Sequence, residues 1–166
     1  TSSESTMAGT NNRVLKLWQS MAGKPRGKWL FTRMICLRAP YFGSIRPKFE
    51  ALEPGHAQVS MRKRRAVHNH IGTVHAIAMC NMAELAGGVL TDVTVPPSHR
   101  WIPKGMTVEY LAKAETDLLA TASAGDVPNA DGGEDYPVQV DVTDTHGKTV
   151  FRAVITMWVT PKQKRA

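Results

Sequence analysis

The sequence predicts an α+β protein in which a curved antiparallel sheet wraps around one buried helix, and three observations carry that expectation. The stretch from His75 to Val89 is almost free of charge, and a helix that is apolar on every side belongs inside a protein. Two strand-like runs precede it, Ser44 to Leu52 and Ala57 to Val67, parted by the turn Glu53-Pro54-Gly55. Four more follow it: Met106 to Ala114, Leu118 to Ala124, Pro137 to Val142 and Thr149 to Val159. Two strands, a helix and then several long strands define the class.

The elements follow in chain order. At 166 residues the chain is read as one domain, residues 11–166, behind a flexible leader over residues 1–10 that includes Thr1-Ser2-Ser3-Glu4-Ser5-Thr6. From Asn12 to Met21 the apolar residues Val14, Leu15, Leu17, Trp18 and Met21 keep helical spacing, and Gly23 and Pro25 end the run. Lys28 to Leu37 is a second apolar stretch, assigned to a helix that packs on the sheet rather than on a membrane. Pro40-Tyr41-Phe42-Gly43 punctuates the chain before the strands begin. Ser123 to Asp135 reads as a loop, and Asp144-Thr145-His146-Gly147 as the turn between the last two strands. A sheet of this order curled around one helix is the hotdog architecture.

Composition removes several function classes. A hydrophobic share of 42% with 21% charged residues is that of a globular chain, not a disordered one. No apolar run is read as long enough to span a bilayer, and no signal segment opens the chain. Cys36 and Cys80 match no metal spacing and are expected to be buried free thiols in a reducing cytoplasm, so the expected location is cytoplasmic. The net charge of +7 and a pI near 9.7 call for a polyanionic partner or a basic surface. Arg62-Lys63-Arg64-Arg65 is the strongest charge run; on a strand it would set Arg62 and Arg64 opposite Lys63 and Arg65. A solvated strand end ranks first for it, coenzyme A phosphates second and nucleic acid last, because no aromatic residues interleave it. His68 and His70 are expected to share a strand face, with His75 nearby, but no carboxylate or cysteine supplies the further ligands a metal site needs, so no metal is expected. Neither a serine elbow nor a phosphate-binding glycine loop is present.

Chemistry concentrates between Asn69 and Glu84. Asn69 and Gly72 fall in the turn before the central helix, and His75, Ala76 and Ile77 in its first turn. Backbone N–H groups there have no intrahelical partner, so they attract negative charge and can stabilise an oxyanion. Ile77, Asn81, Glu84 and Gly88 share one helical face, on which Asn81 and Glu84 are the strongly polar members. A carboxylate in such a helix needs partners, a wet cavity or an interface.

Asn69, Gly72 and His75, followed nine residues later by Glu84, resemble the hotdog thioesterases of the phenylacetate-pathway type. That family carries Asn-x-x-Gly-x-x-His-Gly-Gly and then an Asp or Glu on the central helix. Trp29-Leu30-Phe31, Pro40-Tyr41, Ala83-Glu84-Leu85-Ala86 and Val108-Glu109-Tyr110-Leu111 also look like a less characterised hotdog branch. The resemblance implies hydrolysis of an acyl-CoA or acyl-carrier thioester. Glu84 would be general base or nucleophile and Asn69 would orient water or the carboxylate. The N–H groups near His75 and Ala76 would polarise the thioester oxygen. Gly72, Ile77, Asn81, Arg62 and Arg64 are the expected substrate-binding positions. No cofactor is implied beyond the coenzyme A of the substrate. The resemblance also implies a homodimer, or a homotetramer built from dimers, in which Glu84 faces the Asn69–His75 loop of the other subunit.

One departure stands out. Ala76-Ile77 replaces the family's Gly-Gly, and larger side chains narrow the approach of a carbonyl. It motivates a second expectation, a non-catalytic acyl-CoA binding or sensing protein. A third, driven by the +7 charge alone, is a nucleic-acid or membrane-surface binder. The reading takes no membrane partner and ranks nucleic acid last among the polyanions.

Overall fold

A computed structural model describes residues 12–128 and 131–163. The leader expected over residues 1–10 lies outside them. Three helices and six strands follow in the order α1 (Arg13–Met21), α2 (Gly27–Arg38), β1 (Lys48–Glu53), β2 (His56–Met61), α3 (Ala76–Thr94), β3 (His99–Tyr110), β4 (Leu118–Ser123), β5 (Glu134–Thr143) and β6 (Thr149–Pro161). The strands form one sheet in the order β1-β2-β4-β5-β6-β3, and every neighbouring pair is antiparallel. The sheet curves around α3: the hotdog arrangement.

Period-two alternation builds the sheet's inner face. In β6, Phe151, Ala153, Ile155, Met157 and Val159 are buried while Arg152 and Val154 are exposed. On α3, Met82, Ala83, Ala86 and Leu90 are fully buried against that face. By length and composition α3 is apolar enough to cross a membrane, which corrects the expectation that no run has that length. In this fold its apolar surface is committed to the core.

The first two helices close the open side. Asn12 caps α1 by accepting the Leu15 N–H, while its amide donates to the Asp92 carbonyl at 2.7 Å. Trp18, Phe31 and Phe49 meet edge to face at centroid distances of 5.1 to 6.5 Å, joining α1, α2 and β1. Buried Thr32 fastens α2 to the sheet by accepting the Phe49 N–H at 2.9 Å.

Several boundaries differ from expectation. Ser44 and Ile45 belong to a 3-10 turn, Pro40–Ile45, rather than to β1. β2 stops at Met61, so Arg62 to Arg65 do not alternate across a strand, and His68 and His70 do not share a strand face. The central helix runs through Gly87 and Gly88 to Thr94; a Cβ on Gly87 would stand 2.9 Å from the Ile155 side chain, so this glycine serves close packing inside the helix. β3 begins at His99, well before Met106, with a bulge between Pro103 and Gly105. Proline is tolerated there because β3 lies at the sheet edge, where an N–H can be spared.

Candidate active site

The polypeptide enters α3 through a 3-10 turn, Arg65–Val67, and a loop pinched by the bridge between His68 and Val74. Asn69 builds that loop. Its Oδ1 accepts the N–H groups of Ile71 and Thr73, each at 3.1 Å, and its Nδ2 donates to Thr73 Oγ1 at 2.7 Å. Gly72 closes the turn at φ +81°, a left-handed conformation in which a side chain is strained. One Asn69 amide proton remains for another acceptor.

His75 is the N-cap of α3, so the helix begins at Ala76, one residue later than expected. The His75 backbone is extended, and Nδ1 accepts the Ile77 N–H at 3.1 Å, which requires that nitrogen to be unprotonated. The His75 carbonyl receives the N–H groups of Ala78 and Met79, and its own N–H donates to the Val67 carbonyl. Of the first-turn donors, only the Ala76 N–H is without a protein acceptor among the described residues. Helix geometry aims it outward along the axis, at the positive end of the dipole.

The predicted face of Ile77, Asn81, Glu84 and Gly88 is divided. The Pro40–Ile45 turn crosses it at Asn81, which is 6% exposed and whose amide reaches the Tyr41 carbonyl at 3.4 Å and Ser44 Oγ at 3.5 Å. On one side lies a cavity of about 210 Å³, bordered by Ser44, His68, His75, Ile77 and Asn81. His68 Nε2 and Asn81 Oδ1 are buried there without a protein partner among the described residues. On the other side lies a cavity of about 430 Å³, bordered by Ile35, Arg38, Phe42, Glu84, Gly88 and Trp101. Glu84 is exposed rather than enclosed, so its carboxylate is hydrated.

Asn69, Gly72, His75 and Ala76 thus cluster at the start of α3, and Glu84 stands apart from them. Eight residues at a rise of about 1.5 Å separate Ala76 from Glu84 by about 12 Å along the axis. The two predicted arginines also part company. Arg64 donates to the Ser44 carbonyl at 2.8 Å and has a buried Nε, whereas Arg62 is exposed and borders neither of these cavities. Cys80 is half-buried on α3 with its sulfur 4.0 Å from the Tyr110 hydroxyl. Burial pushes its thiol up, against a smaller lowering by that hydroxyl, so it is protonated near neutral pH.

Sequence reasoning missed the lining of the Glu84 cavity. Phe42, Arg38 and Trp101 come from three separate segments, and no spacing along the chain announces their meeting. Trp18 and Phe31 are core, Phe42 borders the cavity, and Trp29 is 54% exposed.

The fold recurs in solved structures. The crystal structure of the genomics protein APC5556 superposes with a TM-score of 0.78 at 47% identity, covering 90% of this chain and 98% of that one. Thioesterase HI1161 from Haemophilus influenzae gives 0.70 at 12% identity, covering 82% and 92%. A mutant form of thioesterase PA1618 from Pseudomonas aeruginosa gives 0.67 at 19%, covering 79% and 94%. At these two identities the likeness is one of fold. No curated protein matches the sequence. A family model matches residues 27–159, from the start of α2 almost to the end of β6, and the chain belongs to that family, described as Domain of unknown function (DUF4442).

Proposed function

We propose that this protein is a thioester hydrolase acting on acyl-CoA or acyl-carrier thioesters. The observation that carries the reading is the pairing of an open helix N-terminus with a carboxylate on the same helix beside an apolar cavity. The Ala76 N–H takes the thioester oxygen as negative charge develops on it. Glu84 activates water or attacks the carbonyl. The cavity bounded by Ile35, Phe42 and Trp101 receives the acyl group. Asn69 acts by holding the loop that presents Ala76, with one amide proton left to orient water.

A distance of about 12 Å along α3 is too long for one water molecule to bridge within a protomer. The reading therefore requires a homodimer in which Glu84 of one copy serves the Ala76 end of the other. β3 offers the surface. It is a twelve-residue edge strand that among the described residues pairs only with β6, and it exposes Ile102, Met106 and Tyr110. An edge of this length and apolarity is a template for strand pairing.

A panel of acyl-CoA substrates, assayed with wild type and Glu84→Ala, tests the reading. Hydrolysis by wild type should fall by about a hundredfold or more in the variant; equal rates would remove Glu84 from the mechanism. One observation favours a second reading, acyl-CoA binding without turnover. The His75 side chain occupies the Ile77 N–H, so one first-turn donor is available instead of two. Calorimetric binding of acyl-CoA with no product released would select that alternative.

A further inference from the structure

A strongly basic concavity lies apart from the two cavities along α3. It measures about 770 Å³ and is bordered by Lys24, Arg26, Lys28, Trp29, Lys48 and Arg62, sharing no lining residue with either of the other two. Five cations reach it from four places: the α1–α2 turn, the first turn of α2, the start of β1 and the segment after β2. Among the described residues one carboxylate, Glu50, forms an ion pair with any of the five. It meets Lys48 at 3.8 Å and also accepts the Ser60 hydroxyl at 2.8 Å. Lys28 donates to the Glu50 carbonyl at 3.0 Å and keeps two further protons. Five like charges converging with so little neutralisation favour a multiply charged anion between them.

Backbone geometry shapes this concavity. Arg26 is the N-cap of α2 and makes no side-chain cap bond; the Gly27 N–H donates to the Lys24 carbonyl at 2.9 Å, and the N–H groups that follow it at the positive end of this twelve-residue helix are uncapped by a side chain. Arg26 holds φ +59°, a left-handed conformation uncommon outside glycine, and borders the cavity. A Cβ on Gly27 would stand 1.6 Å from the Met21 carbonyl oxygen, so only glycine lets the two helices meet tightly enough to form this wall. Trp29 adds a half-exposed indole to the same lining; the Arg33 guanidinium lies over its ring at 5.9 Å from the centroid, and the opposite face is the one on which a base can stack.

We propose that this cavity binds a nucleotide carrying two or more phosphate groups, with the cations and the α2 N-terminus on the phosphates and Trp29 on the base. Two sources share that chemistry: the adenosine bisphosphate end of a coenzyme A thioester, or a free nucleotide. Only the first rests on the function proposed above.

Calorimetry with adenosine 3′,5′-bisphosphate and with ATP, on the full chain at low salt, tests the proposal. The variants are Trp29→Ala and the double substitution Lys24→Ala/Arg26→Asn; asparagine tolerates the left-handed backbone and both positions are exposed. Saturable binding is expected in wild type, weakening steeply with salt. The double variant should raise Kd by about tenfold or more for each charge-assisted hydrogen bond that it removes. Trp29→Ala should weaken nucleotide binding and leave inorganic pyrophosphate binding unchanged. If the double variant raises KM for acyl-CoA and not for the matching acyl-pantetheine, the ligand is the substrate's own headgroup. If KM is unchanged while ATP binding is lost, it is a free nucleotide. A protein that hydrolyses no thioester yet binds the bisphosphate retains this site and loses the proposed function. No saturable binding in wild type, equal affinity in the double variant, or binding only to phosphatidylglycerol vesicles overturns the proposal.

Discussion

Mixing two inactive variants tests the most specific claim, that each site is assembled from two chains. Asn69→Ala removes three side-chain hydrogen bonds and leaves the Ile71 and Thr73 N–H groups without their acceptor. At about 0.5–1.5 kcal/mol for each bond, the loop loses about 2–4 kcal/mol. That suffices to loosen the presentation of Ala76 while the core around α3 stays intact. Glu84→Ala removes the carboxylate from the other half, at an exposed position where stability should hardly change. Each variant alone should be near inactive. When the two are unfolded together and refolded at equal amounts, half of the dimers are mixed. Each mixed dimer then holds one intact site, with Glu84 from the Asn69→Ala chain facing the wild-type loop of the Glu84→Ala chain. Activity should recover to about a quarter of the wild-type level. The assay is thioester hydrolysis before and after mixing, with each variant refolded alone as control. No recovery, in samples shown by mass to contain mixed dimers, refutes the shared site.

Three further predictions test other parts of the molecule. His75→Ala should lose the helix cap, about 1 kcal/mol, and lower Tm by about 2–4 °C, whereas His75→Asn should restore the cap. If capping is the whole role of His75, the rate recovers with His75→Asn too; stability restored without activity would assign it a chemical role. Ile102→Lys combined with Met106→Lys places charge on the β3 edge and should convert a dimer to a monomer by light scattering, with the circular dichroism spectrum retained. Tyr136 is 2% exposed, donates to the Gly125 carbonyl at 2.7 Å, and is pushed up to about 12 by burial first and the Asp126 charge second. An unfolded tyrosine ionises near ~10, so the native state retains a proton that the unfolded chain releases. Stability should hold below pH ~10 and fall between about 10 and 12. Tyr136→Phe should flatten that decline in urea melts, and an identical slope would count against Tyr136 as its source.

The fold was largely legible because its strongest signals are periodic. β6 alternates over its length, and α3 is apolar over more turns than a surface helix can be. What escaped was structure that breaks period. β3 has little alternation to read, since Arg100, Ile102, Lys104 and Met106 are all exposed on an edge strand. The basic run continued β2 in the sequence reading because nothing after Met61 resembles a breaker, yet backbone pairing ends there. Helical spacing correctly put Ile77, Asn81, Glu84 and Gly88 on one face, but it could not reveal that the Pro40–Ile45 turn crosses that face at Asn81. Nor could spacing show that Lys24, Arg26, Lys28, Lys48 and Arg62 converge, because the five span a long stretch of sequence and meet only through packing.

The division of α3 gives the proposed assembly its logic. Sheet side chains hold the helix along its buried face, through Met82, Ala83, Ala86 and Leu90, so it cannot bend to carry Glu84 towards Ala76. A two-fold axis that pairs β3 with its own copy in antiparallel fashion reverses every other element as well. On the proposed assembly the two α3 helices run in opposite directions, the arrangement that a site shared between Ala76 of one copy and Glu84 of the other requires. A rigid helix that separates the halves within a protomer is thus what lets two copies combine them. On this reading activity depends on association before it depends on any side chain. The rate per protomer should fall on dilution through the dimer dissociation constant, even with saturating substrate. A rate per protomer that stays constant while light scattering records dissociation would return the whole reaction to a single chain.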